Sequence, residues 1–338
     1  MPYRGPADGV FEGGGAKGIA LVGALEVARH YVTEWRSLAG TSAGAIVAAL
    51  LAAEYTPDAV LGLLAGQGIP GVVKPFKLSD LPRRRALGGL PVLSPLVNLF
   101  AHLGLYSGDF FHEVMETALA KGPRPVRTFG ELRAAEEDVR DGHPPYRLQF
   151  IATDLTHRRA VIIPQGLRDL GLEPDDVPVA LGVRMSMSIP LYFEPVVLPT
   201  KPPTVVVDGG FVSNFPIWLF DSKSLASWPT FGFLLDERKE FTWELRGVGQ
   251  LARRVVDTAM GALNDVLLER GAEVERVVRI DVSGYSTIEF NMGQRRMEEL
   301  LRRGREAARR FFEAFDPARY ENSRGRPLAP EAQRMVAP

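Results

Sequence analysis

The chain has 338 residues, of which 46% are hydrophobic and 24% charged, and this composition is typical of a folded globular protein rather than a disordered or fibrous one. Its 40 basic and 41 acidic side chains leave a net charge of −1, which argues against nucleic acid as a partner. The absence of cysteine excludes disulfides, thiolate catalysis and cysteine-ligated metal sites. It is also typical of a reducing compartment, so we expect a cytoplasmic protein.

Strand and helix patterns alternate along most of the chain. The first predicted elements are a strand over 8–11, a helix over 16–31, a strand over 37–39 and a helix of small residues over 42–53. Further strands are predicted over 147–152, 160–163, 204–207, 230–235 and 277–282, and further helices over 108–119, 179–186, 243–269 and 292–315. This alternation predicts an α/β fold, a three-layer α/β/α sandwich with a mostly parallel central sheet.

The domain organisation follows from composition. We expect one main domain over residues 1–285, a C-terminal helix over 286–315 packed on it, and a polar, proline-bearing tail over 316–338. The predicted C-terminal helix has an apolar stripe at helical spacing and many arginines, a pattern typical of a core-facing helix with solvated arginines.

Residues 67–106 are rich in proline and glycine and predict a lid or lipid-binding insertion. Their last 20 or so residues lack charge, but the glycines and prolines among them would interrupt a membrane-spanning helix. The basic residues near that apolar stretch are Lys74, Lys77, Arg83, Arg84 and Arg85. Such a pattern fits a peripheral lipid-binding lid, and it fits equally a polar loop followed by a buried helix.

A glycine-rich segment over residues 13–18 follows the first predicted strand and begins a helix. Glycines there let the backbone approach a ligand and direct free N–H groups at negative charge. The spacing of Gly13, Gly15 and Gly18 also matches the dinucleotide-binding fingerprint, with Glu34 near the expected ribose-binding acid. A tight turn without a ligand is the third interpretation. Lys17, in the first helical turn, is interpreted as a solvated lysine, a partner of a nearby carboxylate, or a ligand of a lipid phosphate.

The pattern Gly-x-Ser-x-Gly occurs at Gly40, Ser42 and Gly44, between a predicted strand and a predicted helix. In a nucleophile elbow, a sharp turn of this kind exposes the serine hydroxyl, and the flanking glycines relieve backbone crowding. The alternative is an ordinary helix start capped by Thr41 or Ser42.

Asp208 follows a run of valines and precedes two glycines, at the carboxyl end of a predicted strand. Active groups collect at such ends in α/β sheets, although Asp-Gly is also a common turn. The last histidine of the chain is His157, so no Ser–acid–His order that includes Asp208 is available. If Ser42 is a nucleophile, its base is therefore predicted to be Asp208 itself, with the glycine-loop amides as oxyanion donors.

These motifs together resemble the patatin-like phospholipase family. The resemblance rests on Phe-Glu-Gly-Gly-Gly-Ala-Lys-Gly at 11–18, Leu-Val-Gly-Ala-Leu at 21–25, Gly-Thr-Ser-Ala-Gly at 40–44, Ile-Ala-Thr-Asp at 151–154, Ser-Met-Ser-Ile-Pro at 186–190 and Asp-Gly-Gly at 208–210. It covers roughly residues 8–216. The resemblance implies that Ser42 is the nucleophile, that Asp208 is its base, and that Gly13, Gly14 and Gly15 form the oxyanion hole.

The resemblance also implies a lipid ester hydrolase that needs no metal and no cofactor. Its partners would be a lipid substrate and, transiently, a membrane surface, with a small-molecule or protein activator as a further expectation. Two alternatives stay open at this point: a nucleotide- or partner-regulated effector of the same family, and an NAD(P)-binding oxidoreductase.

Overall fold

A computed structural model of the chain describes residues 3–76, 103–140, 143–221, 228–237, 275–287 and 289–324, together with residues 255 and 258. The strands are β1 (Gly5–Phe11), β2 (Val32–Gly40), β3 (Gly104–Tyr106), β4 (Leu148–Asp154), β5 (Arg159–Ile163), β6 (Leu191–Phe193), β7 (Val196–Leu198), β8 (Thr204–Asp208), β9 (Thr230–Asp236) and β10 (Val277–Asp281). The α-helices are α1 (Ile19–Ala28), α2 (Ala43–Ala52), α3 (Pro57–Leu64), α4 (Asp109–Lys121), α5 (Glu136–Arg140), α6 (Val179–Ser186), α7 (Gln294–Ala314) and α8 (Pro317–Arg324).

Eight strands form one mixed sheet in the order β10-β9-β1-β2-β4-β8-β7, with β5 paired to β4 off this path. The pairs from β10 to β4 are parallel, whereas β8, β7 and β5 add to the sheet antiparallel. The predicted α/β class with a mostly parallel sheet is therefore confirmed. The antiparallel pairs β4–β5 and β7–β8 have a simple cause, because the short links within each pair allow only hairpins.

Several elements differ from the sequence-based prediction. Strand β2 begins five residues before the predicted strand, at Val32. The three-residue strands β3, β6 and β7 were not predicted, because so few residues show no periodicity. Helix α3 was also missed, although its start has a readable signal: Thr56 accepts a hydrogen bond from the Ala59 N–H, and Pro57 occupies the first turn.

The two faces of the sheet have separate hydrophobic clusters. Successive strand residues point to opposite faces, so Phe11 lies in the main core with α1, α2 and α7, whereas Val10 lies on the other face. That second face is covered by Phe215, Ile217 and Phe220, which follow β8. The helix predicted over 243–269 lies outside the described residues, apart from residues 255 and 258.

Helix α7 packs closely along α1, as its apolar stripe predicted, and buries Leu300, Leu301, Ala308 and Phe312. The approach depends on two glycines. A Cβ on Gly23 of α1 would lie 2.1 Å from the Leu301 oxygen, and a Cβ on Gly304 of α7 would lie 2.1 Å from the Ala20 oxygen.

Replacing Gly304 by alanine is therefore expected to lower the free energy of unfolding by about 2 kcal/mol, since the helices must separate to admit the methyl group. Urea denaturation would measure the change. Gly293→Ala is the matched control at the start of the same helix, because a Cβ there meets nothing within 4 Å. Equal midpoints for the two variants would contradict this account of the packing.

The prediction of a tail from residue 316 onward is corrected, because helix α8 lies in this segment. Asp316 caps this helix by accepting a hydrogen bond from the Ala318 N–H at 2.9 Å. Tyr320 is buried, and its hydroxyl accepts a hydrogen bond from the Thr230 N–H at 2.8 Å, which joins the helix to β9. Residues 316–324 are thus part of the folded unit. Most of the predicted lid, residues 77–102, and the tail beyond residue 324 lie outside the described residues.

Candidate active site

Ser42 and Asp208 are brought together by the way β2 and β8 meet β4. Strand β5 lies along one edge of β4, and the other edge is shared by β2 and β8. Gly40, the last residue of β2, pairs with Phe150, and Asp208, the last residue of β8, pairs with Ala152. Because β2 is parallel and β8 antiparallel to β4, their carboxyl ends converge from opposite directions. The predicted nucleophile and base therefore lie at one point of the sheet.

Ser42 occupies a strained turn between β2 and α2. Its φ of 53° and ψ of −121° are rarely adopted by a residue with a side chain. The flanking glycines are sterically required, since a Cβ on Gly40 would lie 2.3 Å from the Gly44 oxygen, and a Cβ on Gly44 would lie 2.1 Å from the Phe11 oxygen. This is the geometry of a nucleophile elbow, and it replaces the alternative of an ordinary helix cap, because neither residue 41 nor residue 42 caps α2 with its side chain.

Ser186, at the end of α6, holds the turn at Ser42 in place through hydrogen bonds. The Ser42 N–H donates to the Ser186 hydroxyl at 3.0 Å, and that hydroxyl donates to the Ile151 carbonyl at 2.7 Å. Both hydrogen bonds are buried. Ser186 thus couples Ser42 to the point on β4 where β2 and β8 converge.

Asp208 is fully buried, and this sets its electrostatics. Its Oδ1 accepts a hydrogen bond from the Gly210 N–H at 2.8 Å, while its Oδ2 is buried with no geometrically aligned donor among the described residues. Burial raises the pKa of Asp208 to about 7, and interactions with the Ser42 side chain and the Gly210 amide offset part of the rise. A carboxylate with a pKa near neutrality is a far better base than an ordinary aspartate.

The glycine loop presents fewer amides than the sequence suggested. The Gly13 N–H donates to the Asn214 carbonyl at 3.1 Å, so it is not available to a ligand in this conformation. The Gly14 and Gly15 N–H groups donate to no acceptor within the described part of the chain. Gly15 has a φ of +53°, and a Cβ there would lie 2.1 Å from the Thr287 oxygen, so only glycine fits.

Two buried residues that support this loop were missed by the sequence analysis. Glu12 accepts a hydrogen bond from the Asn214 amide at 3.0 Å and another from the Leu235 N–H. The same Asn214 amide donates to the Gly13 carbonyl at 2.9 Å. The available signal was weak: an acidic residue at the end of an apolar strand, and an asparagine six residues after the candidate base.

Lys17 lies directly after the loop and is paired within the chain. Its ammonium lies 3.0 Å from a carboxylate oxygen of Glu237, with 9% of the lysine side chain exposed against 50% of the glutamate side chain. The structure therefore favours the carboxylate-partner interpretation of Lys17 over a solvated lysine. The exposed glutamate leaves one side of this ion pair open to exchange.

Glu34 does not fit the dinucleotide interpretation. It is the third residue of β2, whereas the glycine loop follows the carboxyl end of the parallel neighbour β1. Six residues of strand separate Glu34 from Gly40, which is about 20 Å at 3.3 Å per residue. Glu34 instead lies 3.5 Å from Arg36 and 3.8 Å from Arg147.

A histidine–carboxylate pair lies in the turn between β4 and β5. The His157 Nδ1 lies 2.7 Å from an Asp154 oxygen, and the His157 N–H donates to the other oxygen at 3.0 Å. Burial acts to raise the pKa of Asp154, but the hydrogen bonds from His157 outweigh it and leave that pKa below its usual value.

The described residues form neither a metal-binding cluster nor a membrane-spanning helix. No group of three or more histidine, aspartate or glutamate side chains there is arranged to hold a metal ion. No helix in the same residues is both long and apolar enough to cross a membrane.

Replacing Ser186 by alanine is expected to lower kcat about tenfold with little change in KM, because the buried Ser42 N–H loses its acceptor and the elbow is no longer fixed. Steady-state ester hydrolysis by the purified variant would measure this. Ser188→Ala is the matched control, since the Ser188 hydroxyl is equally buried but bonds to Arg184. If both variants lost stability equally and kept normal kcat, Ser186 would have only a structural role.

Comparisons with known proteins identify relatives of this chain. Residues 9–221 match the family described as "Patatin-like phospholipase". The protein YqhO of Bacillus subtilis (strain 168), itself uncharacterized, is 35% identical over 312 residues, which are 91% of this chain and 98% of YqhO. The uncharacterized protein R571 of Acanthamoeba polyphaga mimivirus is 25% identical over 213 residues, or 62% of this chain and 59% of R571.

Among solved structures, VipD from Legionella pneumophila is similar with a TM-score of 0.53 and 15% sequence identity. The similarity covers 93% of this chain and 67% of that VipD chain. At this level of identity the likeness concerns the fold, a large sheet with helices packed on it.

Proposed function

Because the chain belongs to the patatin-like phospholipase family, we propose that it is a lipid acyl hydrolase of the phospholipase A or lysophospholipase type, with Ser42 as nucleophile and Asp208 as base. The observation that supports this most is the convergence of β2 and β8, which joins a strained, buried serine to a buried carboxylate whose pKa is raised to about 7. No other pair of described residues combines these features.

In the first step, Asp208 removes the proton of the Ser42 hydroxyl as the oxygen attacks an ester carbonyl. The base is ionised above neutral pH, and because it is buried it has no competing shell of water. The unpaired Oδ2 of Asp208 is the acceptor proposed for this proton.

The resulting tetrahedral oxyanion needs hydrogen-bond donors that are already in place. We assign this role to the Gly14 and Gly15 N–H groups, which have no acceptor in the described part of the chain, and add the Ala43 N–H, which follows the nucleophile and has none either. Gly13 contributes to the site by having no side chain, because a Cβ there would lie 2.3 Å from the Asn214 side-chain oxygen and 3.2 Å from the Ser42 Cβ.

Collapse of the oxyanion releases the alcohol or lysolipid, which takes the proton from Asp208, and leaves an acyl ester on Ser42. Water then attacks that ester while Asp208 again accepts a proton. The fatty acid leaves, and the proton returns to the Ser42 oxygen. The cycle needs neither a metal nor a cofactor, and all proton transfers pass through Asp208.

Lys17 is the cation proposed to meet a lipid phosphate. It follows the glycine loop, and the half-exposed Glu237 carboxylate that pairs with it is exchangeable for a phosphate oxygen. The apolar part of the lipid is proposed to meet Leu103 and Leu191, two exposed apolar residues that flank the pairing of β3 with β6. We infer a cytoplasmic enzyme that binds membrane surfaces transiently.

Fatty-acid release from mixed phospholipid vesicles tests the proposal. We expect release by the wild-type protein and none by Ser42→Ala, with the released lysolipid identifying the bond that is cut. Thr41→Ser is the matched control, because its neighbouring hydroxyl keeps the bond to the Ser213 carbonyl without touching the nucleophile. Equal release by Ser42→Ala would refute the assignment. Release that requires an added nucleotide or protein would favour the regulated effector.

A further inference from the structure

A cavity of about 340 Å³ opens where β2 begins, at the end of the sheet opposite Ser42. This volume lies within the range of about 300–1,000 Å³ that is typical of small-molecule sites. Its walls come from α1, β2, the end of α2, the start of α3 and the start of β4. None of its lining residues belongs to the catalytic site proposed above.

The lining has an excess of positive charge. It includes four arginines and two glutamates, which leave a formal charge of 4 − 2 = +2; they are Arg29, Arg36, Arg124, Arg147, Glu34 and Glu54. Arg36 is paired with Asp138, which lies outside the lining, at 3.1 Å. The ion pairs of the other two inner arginines are long, since Glu54 lies 3.9 Å from Arg124 and Glu34 lies 3.8 Å from Arg147. Both glutamates are more than half exposed, at 65% and 53% of the side chain, so these ion pairs contribute little.

Arg147 is held rigidly in this wall. Its Nε donates to the Arg36 carbonyl at 2.7 Å, and its Nη2 donates to the Trp35 carbonyl at 2.9 Å, which leaves Nη1 with no acceptor among the described residues. Burial, and then the positive charge of Arg124, lower the pKa of Arg147. An anion bound between Arg124 and Arg147 would compensate for both effects and would meet a donor already in position.

Apart from Thr33, the rest of the lining is apolar or aromatic: Leu25, Trp35, Leu38, Leu51, Ala52, Tyr55, Pro57 and Leu132. The Tyr55 hydroxyl is already committed to the Ala118 carbonyl at 2.8 Å, so the ring rather than the hydroxyl is available to a ligand. A ligand that matches this cavity therefore combines a compact anion with an apolar body.

We propose that this cavity is a binding site for a small soluble phosphate monoester with an apolar body. The dianionic phosphate binds at Arg124 and Arg147, whose two positive charges match its own, and the apolar body packs against Trp35 and Leu51. The site is distinct from the active site, because Leu51 is near the last residue of the ten-residue helix α2 and Ser42 precedes its first. A helix of that length spans about 15 Å.

Isothermal titration calorimetry with n-hexyl phosphate tests the site independently of any hydrolytic activity. The Ser42→Ala protein is titrated beside the wild type, so that no reaction at Ser42 contributes to the measured heat. We expect one saturable site in both proteins, about tenfold weaker binding of inorganic phosphate, and about tenfold weaker binding of n-hexyl phosphate by Arg124→Gln. Arg279→Gln, an exposed arginine on β10, is the matched control and is expected to bind as the wild type does.

Three results would overturn the proposal. The first is the absence of saturable n-hexyl phosphate binding at millimolar concentration, and the second is unchanged binding by Arg124→Gln. The third is inorganic phosphate binding as tightly as n-hexyl phosphate, which would remove the role of the apolar lining. Arg29→Gln is a second variant for the case in which Arg124→Gln fails to fold, because Arg29 is exposed at the end of α1 and lines the same cavity.

Discussion

Asp208→Asn is expected to lower ester hydrolysis by about 10³- to 10⁴-fold while leaving the protein folded. The amide has nearly the shape of the carboxylate and can still accept the hydrogen bond from the Gly210 N–H through its oxygen. It cannot accept the Ser42 proton, so the nucleophile is no longer activated. Steady-state hydrolysis of a soluble aryl ester, together with circular dichroism, would measure activity and folding on the same preparations.

Two further variants serve as controls for this prediction. His157→Gln removes the histidine that pairs with Asp154 and is expected to keep turnover within about twofold of wild type, because His157 takes no part in the proposed proton transfers. The Ser42→Ala, Asp208→Asn double variant is expected to be no worse than the more damaged single variant, since the two residues act as a unit. A folded Asp208→Asn protein with near-normal turnover, or a large loss in His157→Gln, would refute the assignment of Asp208 as base.

The raised pKa of Asp208 predicts opposite pH responses of activity and stability. Activity requires the ionised carboxylate, so log kcat/KM is expected to rise with unit slope below pH 7 and to level off above it. Stability follows the opposite course. Between the ordinary pKa of 3.8 and the folded-state value of about 7, the folded chain holds a proton that the unfolded chain has lost, so the free energy of unfolding decreases as pH rises through this window.

The size of the stability effect follows from the same shift. Each pKa unit corresponds to about 1.4 kcal/mol of free energy of unfolding. The burial of ionised Asp208 therefore costs about 4 kcal/mol above pH 7. Asp208→Asn, which cannot ionise, is therefore expected to gain stability over the wild type by about 3 kcal/mol more at pH 8 than at pH 5. Urea denaturation of both proteins at the two pH values would measure this. A difference that is the same at both pH values, or an activity midpoint near pH 4, would contradict the raised pKa.

The motifs that sequence could identify are those whose chemistry lies within a few consecutive residues. Gly40, Ser42 and Gly44 form a local turn, in which Gly40 is required by a contact within the turn and Gly44 by a contact with the end of β1. The order of the chain also led to the prediction of Asp208 as the base of Ser42, because no histidine follows residue 157. What sequence could not show was the antiparallel entry of β8 that lets the two residues converge on β4.

The residues that support the site could not be identified from local sequence patterns, because their hydrogen-bond partners are distant in sequence. Ser186 accepts a hydrogen bond from the amide of Ser42, which is 144 residues away in the sequence. Asn214 donates one to Glu12, which is 202 residues away. The same holds for the glycine loop, since spacing alone could not reveal that the Gly13 amide is already committed to Asn214. The arginine-lined cavity, likewise, is assembled from separate segments between Leu25 and Arg147.

Labelling with a fluorophosphonate probe, which traps serine nucleophiles, tests the central assignment most directly. The Ser42–Asp208 mechanism predicts one adduct per chain, located by peptide mass spectrometry on the segment that contains Ser42. It also predicts no adduct in Ser42→Ala and labelling at least about a hundredfold slower in Asp208→Asn. An adduct on another serine, or unchanged labelling of Asp208→Asn, would contradict the account.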